Sequence, residues 1–222
     1  MNIKEYLSAI DYPGRIVASG WDSNGKPVLL YGITARSDNS RNRVLSLDGG
    51  ILRTRPYDES KVEDPSLIIY NAMRTSGSAV ILSNGDQTDT IAEFISRGKS
   101  LEDALASRTY EPDAPNYTPR ISAVMNGDNL LLSIIRKKGD ETDRRIFRYE
   151  REDGVIHLIH TYMHDGDPLP SFEGLPARLD AEDMEKLAED TWSALSPERR
   201  VALYVRIGDT KRIVNAKEEE ND

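Results

Sequence analysis

Four polar stretches of this chain carry more chemistry than a scaffold needs. Residues 34–43, TARSDNSRNR, hold Arg36, Arg41 and Arg43. A guanidinium fork matches two oxygens of a phosphate and keeps its charge, so the stretch is a candidate for anion recognition. The plainer alternative is a solvated loop. Residues 83–90, SNGDQTDT, read as a turn entering a helix. There free N–H groups, with Asn84 and Asp86, could hold an anion or a carbonyl; the plainer alternative is helix capping by Asp86. Residues 110–120, YEPDAPNYTPR, set Glu111, Asp113, Asn116, Tyr117 and Arg120 among three prolines. A rigid, polar, aromatic-bearing loop before a strand is a site candidate, with a plain connector the equal alternative. Residues 160–176, HTYMHDGDPLPSFEGLP, read equally as a wall over a pocket or as an irregular crossing.

His157, His160 and His164 are the only histidines. On a helix they would form a stripe able to hold a metal. The segment VIHLIHTYM is rich in β-branched residues and reads as a strand, which turns His157 away from the other two, so no metal is expected. The basic residues Arg136, Lys137, Lys138, Arg144, Arg145 and Arg148 are interrupted by acids and read as a solvated hairpin.

These segments need elements to hold them. Residues 14–20 and 27–34 alternate as strands around the turn Asp22–Ser23–Asn24–Gly25. Residues 43–47 and 51–54 flank a second turn at 48–50, and 66–73 and 78–83 are further apolar strands. The connections are too short for crossovers, so the pairing is antiparallel. The period then changes: Ile91, Phe94 and Ile95 predict a helix over 86–97, with Gly98 as its stop. Ser100 with Asp103 predicts a capping box for a second helix, whose inner face is Leu101, Ala104 and Leu105. Strands return at 120–125, 129–136, 144–150 and 155–162. A helix over 180–195 turns Met184, Leu187, Ala188 and Thr191 inward, and strands at 199–207 and 212–214 close the chain. The order predicts an α+β fold with large antiparallel sheets and helices outside. Residues 1–222 read as one domain, with 217–222 (KEEEND) a disordered acidic tail.

Composition excludes several classes. The chain has 222 residues, no cysteine and a formal net charge of −9. Without cysteine there is no thiolate nucleophile, disulfide framework, Cys-ligated zinc or iron–sulfur cluster. The acidic balance argues against nucleic acid as a partner. The longest apolar runs are a few residues, far from the roughly 20 that span a bilayer, and no signal peptide is visible, so a cytoplasmic location is expected.

Four motifs together carry a resemblance. YPGRIVASGWDSNGKPVLLYGITARS followed after five residues by an Arg-containing strand, then DPSLIIYNAMR, AVILSNGDQTDTIAEFI and YEPDAPNYTPRISAV, resemble the archaeal-type IMP cyclohydrolase family from about Tyr12 to Val124. The segment 160–176 looks like a feature of bacterial relatives. The resemblance implies a four-layer αββα sandwich of antiparallel sheets, as in N-terminal-nucleophile hydrolases. Those enzymes begin their first strand with a freed Cys, Ser or Thr; here Tyr12–Pro13–Gly14 precedes the strand and offers none, so covalent catalysis from a terminus is not expected.

The implied activity closes 5-formamido-1-(5-phosphoribosyl)imidazole-4-carboxamide to IMP and water, with no cofactor. By the resemblance, Arg43 and Tyr70 line the substrate site and either could donate to the formyl oxygen, while Glu111 is the candidate general acid/base. Arg36 and Arg120 are candidates for phosphate or base contacts, and Asn84, Asp86 and Asn116 for the ribose or carboxamide. A dianionic nucleotide entering a protein of charge −9 calls for an arginine cluster. The implied partner is a purine ribonucleotide, with neither nucleic acid nor membrane, and the family suggests a homo-oligomer. Alternatives are a non-catalytic purine-nucleotide-binding protein and a related amide hydrolase on the same scaffold.

Overall fold

A computed structural model describes residues 1–62, 65 and 69–219. In chain order the elements are α1 (Ile3–Leu7), β1 (Arg15–Trp21), β2 (Pro27–Thr34), α2 (Asp38–Arg41), β3 (Arg43–Asp48), β4 (Ile51–Pro56), β5 (Asn71–Ser76) and β6 (Ala79–Ser83). There follow α3 (Gln87–Ser96), α4 (Leu101–Ala106), β7 (Arg120–Asn126), β8 (Asn129–Lys138), β9 (Glu141–Glu150) and β10 (Val155–His160). The chain continues through β11 (Ala177–Asp180), α5 (Met184–Ala194), β12 (Arg200–Ile207), β13 (Thr210–Asn215) and α6 (Ala216–Glu219).

Two antiparallel sheets result. One has six strands in the order β11-β10-β1-β2-β12-β13, the other seven in the order β3-β4-β5-β6-β7-β8-β9. Period-two alternation explains the layers. On β1, Val17 faces the seven-stranded sheet and packs with Leu29, Leu52 and Leu132, whereas Ile16 and Ala18 face outward under Ile3, Leu7 and Leu187 of α1 and α5. On the other sheet Ile81, Val124 and Ile135 face outward under Ile91, Leu101 and Leu105 of α3 and α4. Both sheets are therefore buried on two faces, which gives the four-layer αββα sandwich. Each fully buried Leu or Ile here contributes about 1.5–3 kcal/mol.

The capping box of α4 forms as predicted, and Gly98 ends α3 at φ +69°. Other details differ. The strand read over 66–73 starts at Asn71, because the Tyr70 backbone is taken by Thr54: Thr54 N–H donates to Tyr70 O at 3.0 Å and Tyr70 N–H to Thr54 Oγ1 at 2.9 Å. Residues 66–68 of that reading lie outside the described residues. The helix read from 180 begins at Met184, since 177–180 form the edge strand β11. α1 and α2 are too short for a periodic signal. The basic hairpin is solvated at Lys138, Arg144 and Arg148, as read, but Arg136 is buried, donating to Asp143 at 2.9 Å and to the Phe172 carbonyl at 2.6 Å, and the exposed Arg144 still donates to Leu105 O at the end of α4 at 2.9 Å. The acidic segment from 217 is helical as far as Glu219, whose carboxylate accepts from Trp192 at 3.2 Å; residues 220–222 lie outside the description. Among the described residues no helix is long and apolar enough to cross a membrane.

Candidate functional site

Four residues from the two sheets and the segments entering them come together: Arg15, Tyr31, Arg43 and Tyr70. Arg15 opens β1 on the face of Val17, and Tyr31 on β2 lies opposite Val17 on the neighbouring strand. Arg43 opens β3 with a fully buried side chain. The single turn of α2, capped by the Ser37 side chain, presents the Ser40 carbonyl to Arg43 Nε at 2.8 Å. Both Nη atoms of Arg43, and Nε of Arg15, are buried without a hydrogen-bond partner among the described residues. Tyr70 is fixed by Thr54 and brings its hydroxyl to 2.6 Å from that of Tyr31.

Two cations and two phenols thus share a water-poor space with donors to spare. Burial, then the neighbouring Arg15, pushes the Arg43 guanidinium down to about 10. Burial and the adjoining Tyr70 raise the Tyr31 phenol well above its ordinary range, so it stays a neutral donor. Of the two phenolic protons, one is used between the rings and one remains. Unsatisfied buried donors are costly, and where a native protein keeps three together they mark a site for an acceptor.

The carboxyl side of the site comes from the proline-rich loop. Glu111 N–H donates to Thr118 O at 3.0 Å, and Asp113 accepts from Thr118 N–H at 2.7 Å, closing the loop on itself with Tyr117 at φ +45°. Glu111 is buried and pairs with Arg120 Nη1 at 2.8 Å. Burial raises the Glu111 pKa, with Asp86 and Asp113 adding to the rise and Arg120 and Arg15 opposing it. Arg15 therefore lies within electrostatic reach of both Glu111 and the Arg43–Tyr70 group. Gly85 is pressed against this cluster: a Cβ there would stand 2.5 Å from Gln87 Oε1 and 3.0 Å from both Arg120 Nη1 and Glu111 Oε1.

The remaining predicted residues fall into two groups. Asp86 does not cap α3 with its side chain; it pairs with Arg120 at 2.6 Å and with Arg108, and with Tyr70 and Arg53 it lines a cavity of about 380 Å³. Arg36 stands at the mouth, donating to Asp165 at 2.7 Å and to the Gly166 carbonyl at 2.9 Å. Asn84, Asn116 and Arg120 are engaged within the protein. Asn84 donates to Pro119 O at 2.9 Å and accepts from Ile121 N–H at 2.8 Å; Asn116 accepts from Leu169 N–H at 3.1 Å; Arg120 also donates to Thr109 O at 2.8 Å.

Segment 160–176 is a wall of the cleft. Tyr162 stacks on Tyr12 with ring centroids 5.8 Å apart and bonds Thr118 of the Glu111 loop at 2.5 Å. Gly14, at φ +72°, admits this contact, since a Cβ would lie 2.1 Å from Thr161 Oγ1. The histidines go to different places: His157 stacks on Tyr149 at 3.6 Å, His160 bridges Tyr6 at 2.9 Å and the Tyr162 carbonyl at 2.8 Å, and His164 meets the Asp165 carbonyl at 2.6 Å. Sequence reasoning passed over Arg15, Tyr31, Tyr12 and Tyr162. The available signal was positional: Arg15 and Tyr31 occupy core-facing positions of otherwise apolar strands.

Comparison with known proteins decides the family. Residues 12–212 match the model of the family described as IMP cyclohydrolase-like protein. The chain belongs to that family. Among its relatives are proteins named IMP cyclohydrolase. That of Methanothrix thermoacetophila is 34% identical over 170 residues, covering 75% of this chain and 81% of that protein. That of Methanococcus aeolicus is 31% identical over 155 residues, covering 68% and 74%. That of Methanopyrus kandleri is 29% identical over 184 residues, covering 73% and 89%. The family match, over residues 12–212, includes β1 and the wall segment as well as the four motifs.

Proposed function

We propose that this protein closes 5-formamido-1-(5-phosphoribosyl)imidazole-4-carboxamide to IMP and water, acting on a dissolved purine ribonucleotide in the cytoplasm. The supporting observation is the fully buried Arg43 guanidinium, whose two Nη groups have no partner among the described residues, beside Arg15 and the Tyr31–Tyr70 hydroxyl pair. The carboxamide nitrogen must attack the formyl carbon. A new C–N bond forms while the formyl C=O electrons move onto oxygen. That oxygen then leaves as water, carrying one proton that came from the carboxamide nitrogen and one from the formamide nitrogen, as the C=N bond closes to the latter.

An amide nitrogen is a weak nucleophile, so positioning and oxyanion stabilisation carry the barrier reduction. Arg43 and the spare Tyr70–Tyr31 proton are the donors to the developing oxyanion, with Arg15 supplying charge from the other sheet. Glu111 carries the proton between the attacking nitrogen and the departing oxygen. Its raised pKa makes it a better proton acceptor and donor than an exposed carboxylate. Asp86 holds Arg120 against Glu111, and Asn84 holds the turn that carries Asp86.

Incubation of the purified protein with the formamido ribonucleotide, followed by ultraviolet absorbance, tests this reading. Turnover to IMP is expected. Tight nucleotide binding without turnover would instead make the chain a non-catalytic purine-nucleotide-binding protein.

A further inference from the structure

Arg36 and Arg199 come from different elements and converge on one group. Arg36 follows β2 and Arg199 precedes β12, the neighbouring strand of the same sheet. Arg36 Nη1 lies 2.7 Å from Asp165 Oδ1, and Arg199 Nη2 lies 2.7 Å from Asp165 Oδ2. One carboxylate is thus held by two guanidinium groups, one on each oxygen, which leaves a net positive charge. Both guanidinium groups also lie against the Tyr12 ring, with their central carbons 5.4 Å and 5.5 Å from its centroid. Tyr12 is buried, so the ring fixes the two cations at one height above it. The cluster is not sealed: Arg36, Asp165 and Arg199 each keep about a third of their side-chain surface in water, at 35%, 33% and 31%.

Carboxylates shared by two arginines recur at Asp86 and Asp143, and this pair is set apart by both guanidinium groups lying against one aromatic ring. Two arginine forks that share a single anion have the charge and the donors for a phosphate monoester dianion. The location agrees. Tyr12 is close enough to Arg15 and Arg43 to act on both electrostatically, and its stacking partner Tyr162 reaches the Glu111 loop. A nucleotide whose base meets Arg43, Tyr70 and Glu111 would leave along the Tyr12–Tyr162 wall. Resting on the nucleotide reading above, we propose that Arg36 and Arg199 are the phosphate-binding pair of the cleft, and that Asp165 holds the phosphate's place until the nucleotide displaces it. Asp165 belongs to the wall segment, so arrival of the phosphate also frees the stretch from Asp165 to Leu169 from its anchor on the sheet.

The test compares IMP with inosine, which differ only in the phosphate, by titration calorimetry on the intact protein and on the variants Arg199→Ala, Arg36→Ala and Asp165→Asn. Loss of one charged hydrogen-bonding partner is expected to weaken IMP about ten- to a hundredfold in either arginine variant while leaving inosine unchanged. Asp165→Asn removes the competing anion and is expected to tighten IMP several-fold, again without effect on inosine. The unchanged inosine affinity reports that each variant is folded. If IMP and inosine weaken together in all three variants, the cluster only braces the wall and the phosphate assignment fails, though the nucleotide reading stands. If the unaltered protein binds neither ligand, the nucleotide reading falls and takes the phosphate pair with it.

Discussion

Replacing Arg43 by methionine should stabilise the empty protein while disabling it. The Arg43 guanidinium is fully buried, next to Arg15, and among the described residues its one hydrogen bond runs from Nε to the Ser40 carbonyl at 2.8 Å. These surroundings lower its pKa from the ordinary 12.5 to about 10. At about 1.4 kcal/mol per pH unit, that opposes the charged folded state by roughly 3 kcal/mol at neutral pH. Methionine removes the charge and fills much of the space, at the cost of the bond to Ser40, about 1–2 kcal/mol. The net gain of about 1–2 kcal/mol corresponds to a melting temperature about 2–8 °C higher for a chain of this size. The sign also fixes the pH dependence. A cation whose folded pKa is depressed binds its proton less tightly when folded than when unfolded. The penalty is therefore complete below about pH 10 and relaxes as pH rises through it. The stability difference between variant and parent should be flat from pH 7 to 9 and narrow above 10. Turnover should fall about 10²–10³-fold, the usual cost of an oxyanion donor. Calorimetric melting of the unliganded proteins, paired with the absorbance assay, reads both. A variant that melts well below the parent yet keeps its turnover would show that the buried guanidinium is a structural brace, and the oxyanion argument would fail.

Glu111→Gln keeps the shape of the side chain but carries no proton, and kcat should drop about 10²–10⁴-fold; unchanged turnover would assign the proton to another group. Asp86→Asn removes a negative charge that raises the Glu111 pKa and releases Arg120 to pair with it more fully. The limb of the kcat/KM profile that titrates with Glu111 should therefore move to lower pH, and a limb that stays in place would detach Glu111 from the profile. Gly85→Ala would push a methyl group into Gln87, Arg120 and Glu111, costing about 1–3 kcal/mol of overpacking and at least tenfold in turnover by displacing the carboxyl. A variant of parental melting temperature and activity would show that this cluster has slack.

The layer order was readable because both sheets are covered twice, so Ile16 against Val17, or Ala123 against Val124, had to be apolar whichever way they faced. The capping box at Ser100 was readable because it is local. The site was legible in pieces. Arg43, Tyr70 and Glu111 sit in motifs, but nothing local shows that Arg43 and Tyr70 share a space, since one opens β3 and the other precedes β5. Arg15 and Tyr31 were hidden by the opposite effect: they occupy positions where a core residue is expected, and strand alternation reports a facing direction without saying that the core ends there. Asp86 looks like a helix cap by position, and only the placement of Arg108 and Arg120 turns its carboxylate elsewhere. The link from Asp165 to Arg36 and Arg199 spans more than a hundred residues in one direction and has no local trace at all.

The 2.6 Å bond between Tyr31 and Tyr70 joins the six-stranded sheet to the segment entering the seven-stranded one. The proposed chemistry is thus split along a seam, with Arg15 and Tyr31 on one side and Arg43 and Tyr70 on the other. A separation of the sheets by about 1 Å along this bond would stretch it past hydrogen-bond length and uncouple the two hydroxyls. Side chains deep between the sheets, which never meet a nucleotide, are then bound to its chemistry as tightly as to folding. Drift on one sheet must be answered by the other.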